Sequence, residues 1–113
     1  MHEMALCESM LQIIEREAAR QNFSRVRKVR LEVGALAGVE KQAMLFGFEV
    51  VRRGTVADGA ELEIIELPGR GWCMSCAREV EVKSRLDACP ECGGFQVQIT
   101  GGDELRIRDL EVD

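Results

Sequence analysis

Apolar positions near the start of the chain recur at helical spacing. Leu6, Met10, Ile13 and Ile14 share one side, while Glu8, Gln12, Glu15, Arg16 and Arg20 fall largely on the other, which predicts an amphipathic helix over residues 4–20. Asn22 and Ser24 break that pattern. The period then changes to two: Val29, Leu31 and Val33 alternate with Lys28, Arg30 and Glu32, the signature of a half-buried strand over 26–33. A turn of small residues, Gly34 to Gly38, leads to a second helix from about Glu40 to Val51 carrying Met44, Leu45, Phe48 and Val51. Gly47 within it weakens the pattern, since glycine costs roughly 1 kcal/mol against alanine in a helix. A turn containing Asp58-Gly59 follows. Residues 61–67 then read as a strand whose apolar phase slips at Ile64-Ile65, implying a bulge or burial on both faces.

Pro68-Gly69-Arg70-Gly71 reads as a linker. Beyond it lie short strand-like pieces at 79–82 and 95–99. Gly101-Gly102 punctuates again, and residues 104–112 form a last strand with apolar Leu105, Ile107, Leu110 and Val112. The expected fold is α+β: two helices packed on a small three-stranded sheet, to which the last strand returns, with an inserted cysteine module. The expected division is a body of residues 1–69 plus 100–113 and an insert of residues 70–99.

Composition narrows the function classes. The 113 residues are 46% hydrophobic and 31% charged, as in a globular chain, and bound it to one domain or to a small domain carrying a smaller appendage. A net charge of −5 and 4% aromatic content argue against a nucleic-acid surface built on phosphate contacts and base stacking. The local cluster Arg25, Arg27, Lys28 and Arg30 is expected to be one solvated strand face. No run of 18 apolar residues and no basic start followed by an apolar core is present. The expectation is a cytoplasmic protein without membrane association.

Five cysteines in such a chain need a reason. Cys73-Met74-Ser75-Cys76 and Cys89-Pro90-Glu91-Cys92 form two C-x-x-C pairs. Two intervening residues let one tight turn aim both sulfurs at a single ion, and two such turns complete a tetrahedral thiolate set for Zn²⁺. Pro90 pre-sets its turn, and Gly93 permits a positive φ as the chain leaves. A segment of this length lacks a core of its own, so metal would supply its folding free energy. Iron in a Cys₄ site finds no separate support in the sequence, and a thiol–disulfide couple would need only one pair at a helix start. Zinc held by Cys73, Cys76, Cys89 and Cys92 is the expected structural role.

His2 is the only histidine. A histidine near a terminus is ordinarily just exposed. At position two, however, the Met1 amine, the His2 amide nitrogen and its imidazole can close adjacent chelate rings suited to Ni²⁺ or Cu²⁺, with Glu3 adding a carboxylate oxygen. The bulk of His2 also protects Met1 from removal.

The opening Met-His-Glu-Met-Ala-Leu resembles that of the HypA/HybF nickel-insertion proteins of NiFe-hydrogenase maturation. The likeness continues through Leu31-Glu32-Val33-Gly34, Leu62-Glu63-Ile64, the two cysteine pairs, Ile99-Thr100-Gly101-Gly102-Asp103-Glu104-Leu105 and Glu111-Val112, spanning essentially the whole chain. The resemblance implies a nickel-binding α/β domain with an inserted zinc ribbon, and a nickel site at His2 with the Met1 amine and, in some accounts, Glu3. It further implies delivery of Ni²⁺ to the immature hydrogenase large subunit together with a HypB-type GTPase, a link to urease in some members, and occurrence as monomer or homodimer.

The remaining residues invite plainer readings. Cys7 shares an apolar stripe with Leu11, Ile14 and Ala18 and is expected in the core rather than as a ligand. Trp72 is expected to pack over the zinc module, and Met4, Met10 and Met44 to be core. No phosphate-binding G-x-x-x-x-G-K-[ST] loop and no Ser/His/Asp set can be assembled, so catalysis is not expected. Two rivals to a metallochaperone are a nucleic-acid-binding zinc ribbon, disfavoured by the acidic balance, and a structural adaptor with an inert N-terminus.

Overall fold

The computed structural model describes residues 2–113. Its elements are α1 (His2–Gln21), β1 (Val26–Gly34), α2 (Lys41–Val51), β2 (Glu61–Leu67), β3 (Gly69–Cys73), β4 (Arg78–Val82), β5 (Val97–Gly101) and β6 (Leu105–Val112). They make two three-stranded sheets, ordered β2-β1-β6 and β4-β3-β5. The chain divides into two compact units. One comprises Met1–Leu31, Val39–Ile64 and Ile107–Asp113, the other Glu32–Gly38 and Ile65–Arg106.

In the first unit the helical stripe of α1 buries Cys7, Met10, Leu11, Ile14 and Ala18. α2 contributes Met44 and Phe48, and the sheet contributes Val26, Val29, Leu31 and Leu62. Removing the Phe48 ring from this core would cost about 3–5 kcal/mol. α1 stops because Asn22 adopts a left-handed φ of 60° and Phe23 N–H donates to Ala18 O at 3.2 Å, closing the helix end. Gly47 has a packing reason: a Cβ there would stand 3.0 Å from Cys7 Sγ. Cys7 is fully buried, as expected, with its thiol 3.4 Å from Met44 O. Burial, followed by the charges of Glu3 and Glu8, pushes that thiol up to about 11. Met10 and Met44 are core, whereas Met4, which continues the buried stripe of α1 by one turn, remains 36% exposed at its end, contrary to expectation. Both Ile64 and Ile65 are half-buried, which accounts for the phase slip in β2.

The basic run is neutralised within the sheet. Lys28 lies near Glu61 and Glu63, and Arg25 and Arg27 near Asp113. Arg30 reaches Glu63, Asp109 and Glu111. A phosphate-binding face would need those cations unspent.

In the second unit the segment 68–71, expected to be a linker, instead begins β3, the central strand of its sheet. β3 pairs antiparallel with β4 from Gly69↔Val82 to Cys73↔Arg78, and with β5 along Gly71↔Ile99 to Cys73↔Val97. The glycines that look like flexibility serve close approach. A Cβ on Gly69 would lie 2.5 Å from Val82 O, and one on Gly71 2.5 Å from Val97 Cγ1. β5 also begins two residues later than the pattern suggests. The core of this unit is small: Leu36, Cys73, Val80, Val82 and Cys89, with Cys76, Val97 and Ile99 packed against it. Leu36 is held there by its backbone, whose N–H donates to Gly102 O at 2.7 Å. Trp72 is 41% exposed rather than covered, since β3 alternates and Cys73 takes the inward position.

Candidate metal centre

Two turns bring the four paired cysteines together. The first follows β3 and the second precedes β5, so the ribbon sheet sets both ends of the site. All four sulfurs lie within 4.8 Å of one another. Cys73 Sγ is 3.7 Å from Cys92 Sγ, and Cys76 Sγ is 3.9 Å from Cys89 Sγ. Four sulfurs at about 2.3 Å from a tetrahedral Zn²⁺ would be separated by roughly 3.8 Å, so those two separations match such an ion, and no pair of sulfurs stands wider than 4.8 Å. Cys73 and Cys89 are buried, Cys76 is half-buried and Cys92 is exposed.

The two turns are built alike. Ala77 N–H donates to Cys73 O, and Gly93 N–H to Cys89 O, each at 2.8 Å. The residue after the second cysteine is left-handed in both, with φ 52° at Ala77 and 74° at Gly93. Backbone N–H groups also point at sulfur: Cys76 N–H at Cys73 Sγ and Glu91 N–H at Cys89 Sγ, both at 3.4 Å. The Cys76 N–H draws the Cys73 thiol down to about 7. The neighbouring Cys92 thiol, with burial, pushes Cys76 up to about 12. Four crowded thiols resist ionising together, and a dication reverses that by stabilising every thiolate.

The sequence foresaw the cysteines, Pro90 and the positive φ of Gly93, but not Ala77. The signal was present, because aligning one C-x-x-C turn on the other sets Ala77 on Gly93.

At the other candidate site, His2 is the first described residue, exposed at the start of α1. The first N–H groups of a helix have no intrahelical acceptor, so drawing the His2 amide nitrogen to a metal would sacrifice no helix hydrogen bond. Glu3 is half-buried, and its Oε2 accepts the backbone N–H of Glu40 at 3.0 Å. That bond is the leading reason its carboxyl is held down at about 2, well below the usual carboxylate range. Glu40 is itself the N-cap of α2, accepting from the N–H groups of Gln42 and Ala43. The part assigned to Met1 lies outside the described residues. Cys7 is buried against Met44 and is no partner for an exposed metal. Among the described residues, the four ribbon cysteines are the only group of three or more metal-ligating side chains drawn together. No helix among them is long and apolar enough to cross a membrane.

Comparison with known proteins follows the same lines. A family model described as hydrogenase/urease nickel incorporation, metallochaperone, hypA, matches residues 1–112. A hydrogenase maturation factor HypA from Alkalilimnicola ehrlichii is 66% identical over 113 residues, covering all of both chains. One of the same name from Rhodopseudomonas palustris is 60% identical, also over the full length of both. The solution structure of the Ni metallochaperone HypA from Helicobacter pylori superposes with a TM-score of 0.70 at 24% identity, covering 99% of this chain and 97% of that one, which supports the fold.

Proposed function

Since the chain belongs to the HypA family of nickel-incorporation metallochaperones, we propose that it carries Ni²⁺ at its N-terminus and hands the ion to the immature large subunit of a NiFe-hydrogenase. The nickel donors are the His2 imidazole and amide nitrogens and the Met1 amine, with the Glu3 carboxylate as an outlying oxygen. The observation that carries this reading is the position of His2: the sole histidine stands exposed on the opening residue of α1. An amine, an amide and an imidazole in sequence close two chelate rings, the nitrogen-rich set that Ni²⁺ favours. Glu3 contributes less, because its carboxylate already serves Glu40.

The division of labour follows the chain. Residues 1–69 with 100–113 serve the cargo, and residues 70–99 form a zinc ribbon. Cys73, Cys76, Cys89 and Cys92 would hold Zn²⁺, whose four thiolates leave no open position, so the ion supplies folding free energy and no chemistry. The protein turns over no substrate. Energy for release would come from a HypB-type GTPase partner, and the setting is the cytoplasm. Urease is a second recipient of the same chemistry, and self-association as a homodimer belongs to the same reading.

The test is a nickel titration of protein with its native terminus beside protein bearing an extra residue before Met1. The extension converts the primary amine to an amide and breaks the chelate without touching a side chain. Specific Ni²⁺ binding should be lost in the extended protein and in His2→Ala, with zinc content unchanged. An extended protein that bound one Ni²⁺ as tightly, with the same spectrum, would overturn the reading.

A further inference from the structure

β3 turns one face to the small core of its unit and the other to solvent. On the solvent face Trp72 stands between Glu79 of β4 and Gln98 of β5, and two residues along β3 Arg70 stands between Glu81 and Gly101. Trp72 is 41% exposed and is the only tryptophan of the chain. The Glu79 carboxylate reaches across this face: its Oε2 accepts the Thr100 hydroxyl at 3.3 Å, and its Oε1 lies 3.7 Å from Arg70 Nη1. An indole in solvent beside a carboxylate is a seat for a cation, which the ring face and the charge attract together.

At the Arg70 end the same face opens into a cavity of about 330 Å³, whose walls include Leu67, Pro68, Gly101 and Glu104 of the same unit. Gly101 keeps it open, since a Cβ there would stand 3.9 Å from both Arg70 Cβ and Glu104 Oε2. The other carboxylate oxygen, Glu104 Oε1, is buried and meets no hydrogen-bond donor. A carboxylate oxygen taken out of water without a donor is costly. The guanidinium groups around it are engaged elsewhere. Arg106 feels the Glu104 charge but gives its Nε to Glu32 at 2.6 Å, and Arg70 lies against Glu79. A small turn about the last side-chain bond, which is broad for a carboxylate, brings the orphaned oxygen to a donor entering the cavity.

We propose that this face binds an extended basic segment of a partner protein, one cation lying against Trp72 and Glu79 and a second, two residues along, entering the cavity at Glu104. Alternate residues of an extended segment share a face roughly 7 Å apart, the same step that separates Trp72 from Arg70 on β3. Leu67 and Pro68 give the second side chain an apolar wall for its methylene stem. Glu81, exposed at the rim, adds a further anion. An acidic segment, or a nucleic acid, would instead meet Glu79, Glu81 and Glu104 with Arg70 as the one cation among them. Every residue of this surface belongs to the second unit, and the proposed nickel donors take no part in it.

The experiment is a fluorescence titration of the full, zinc-replete chain, with Trp72 as the reporter and acetyl-Gly-Lys-Gly-Lys-Gly-amide added to about 10 mM, a range that covers weak peptide binding. The lysine peptide should shift the emission saturably, and added salt should weaken the effect. The same peptide with glutamate in place of lysine should leave the emission unmoved. Glu104→Gln removes the charge in the cavity, and Gly101→Ala narrows the cavity at constant charge; each should raise the Kd about fivefold or more. Glu49→Gln, exposed on α2 of the first unit, removes an equal charge elsewhere and should leave the Kd as it was. Circular dichroism and zinc content confirm that the three variants fold. A Trp72 emission that ignores the lysine peptide overturns the proposal, as does an equal response to the glutamate peptide. So does a Kd that Glu104→Gln leaves unchanged, or one that Glu49→Gln raises as much, since net charge alone would then explain the binding.

Discussion

Glu3 Oε2 accepts the backbone N–H of Glu40 at 3.0 Å, and Glu40 accepts the N–H groups of Gln42 and Ala43 with its own carboxylate. Two successive carboxylates thus bind the first turn of α1 to the start of α2, one residue from His2. Glu3→Ala should lower the melting temperature, and Glu3→Gln should do so less, because the amide oxygen can still accept from Glu40. On the proposed nickel reading, Glu3→Gln should also weaken Ni²⁺ binding far less than His2→Ala. Thermal melts and nickel titrations of the three variants check both orders; a Glu3→Gln loss equal to that of His2→Ala would make Glu3 a principal donor.

Sulfur–sulfur separations of 3.7 and 3.9 Å fit one tetrahedral ion. Replacing any of Cys73, Cys76, Cys89 or Cys92 by Ser should release zinc and open residues 70–99 to protease. The first unit should stay folded on its own core, so α1 and α2 should retain their helical dichroism. Metal analysis with limited proteolysis decides it, and a variant with full zinc and a resistant ribbon would refute the site.

Ala77 holds a left-handed φ of 52° in the turn where its counterpart is Gly93. That conformation costs alanine about 1–2 kcal/mol, against roughly 0.4–1 kcal/mol of extra unfolded-chain entropy for glycine. Ala77→Gly should therefore stabilise the ribbon by about 0.5–1 kcal/mol, and Gly93→Ala should destabilise it. Amide exchange in β3 and β4 measures both; a destabilised Ala77→Gly would show that the alanine methyl packs to advantage.

Burial pushes the Cys7 thiol up to about 11. At pH 8 the thiolate fraction is then on the order of a thousandth. Cys7 should resist alkylation in the folded protein and react at once in denaturant, which mass spectrometry of the Cys7 peptide reads directly. Rapid labelling in the native state would place it near the surface.

Apolar periodicity made the two helices and β1 legible, because one-sided burial imposes a spacing of 3.6 or 2 on apolar residues wherever a core lies on one face, while β2 and β6 showed as strands despite a slipped apolar phase. Cysteine spacing likewise determined the closed sulfur cluster, since a C-x-x-C turn is a local device that needs no knowledge of the rest of the chain. Family membership was legible from the Met-His-Glu opening combined with those pairs. What only the tertiary structure decided are matters of approach between distant segments. Gly69 and Gly71 read as a linker until Val82 and Val97 are seen to crowd them. Trp72 is large and apolar, yet the inward position beside it belongs to Cys73, and Met4 stands at the exposed end of the α1 stripe. Glu3 is tied to a backbone group 37 residues away. Local chemistry is written in neighbouring letters; contacts across the chain depend on where folding brings each surface, and one sequence read in order does not carry that geometry.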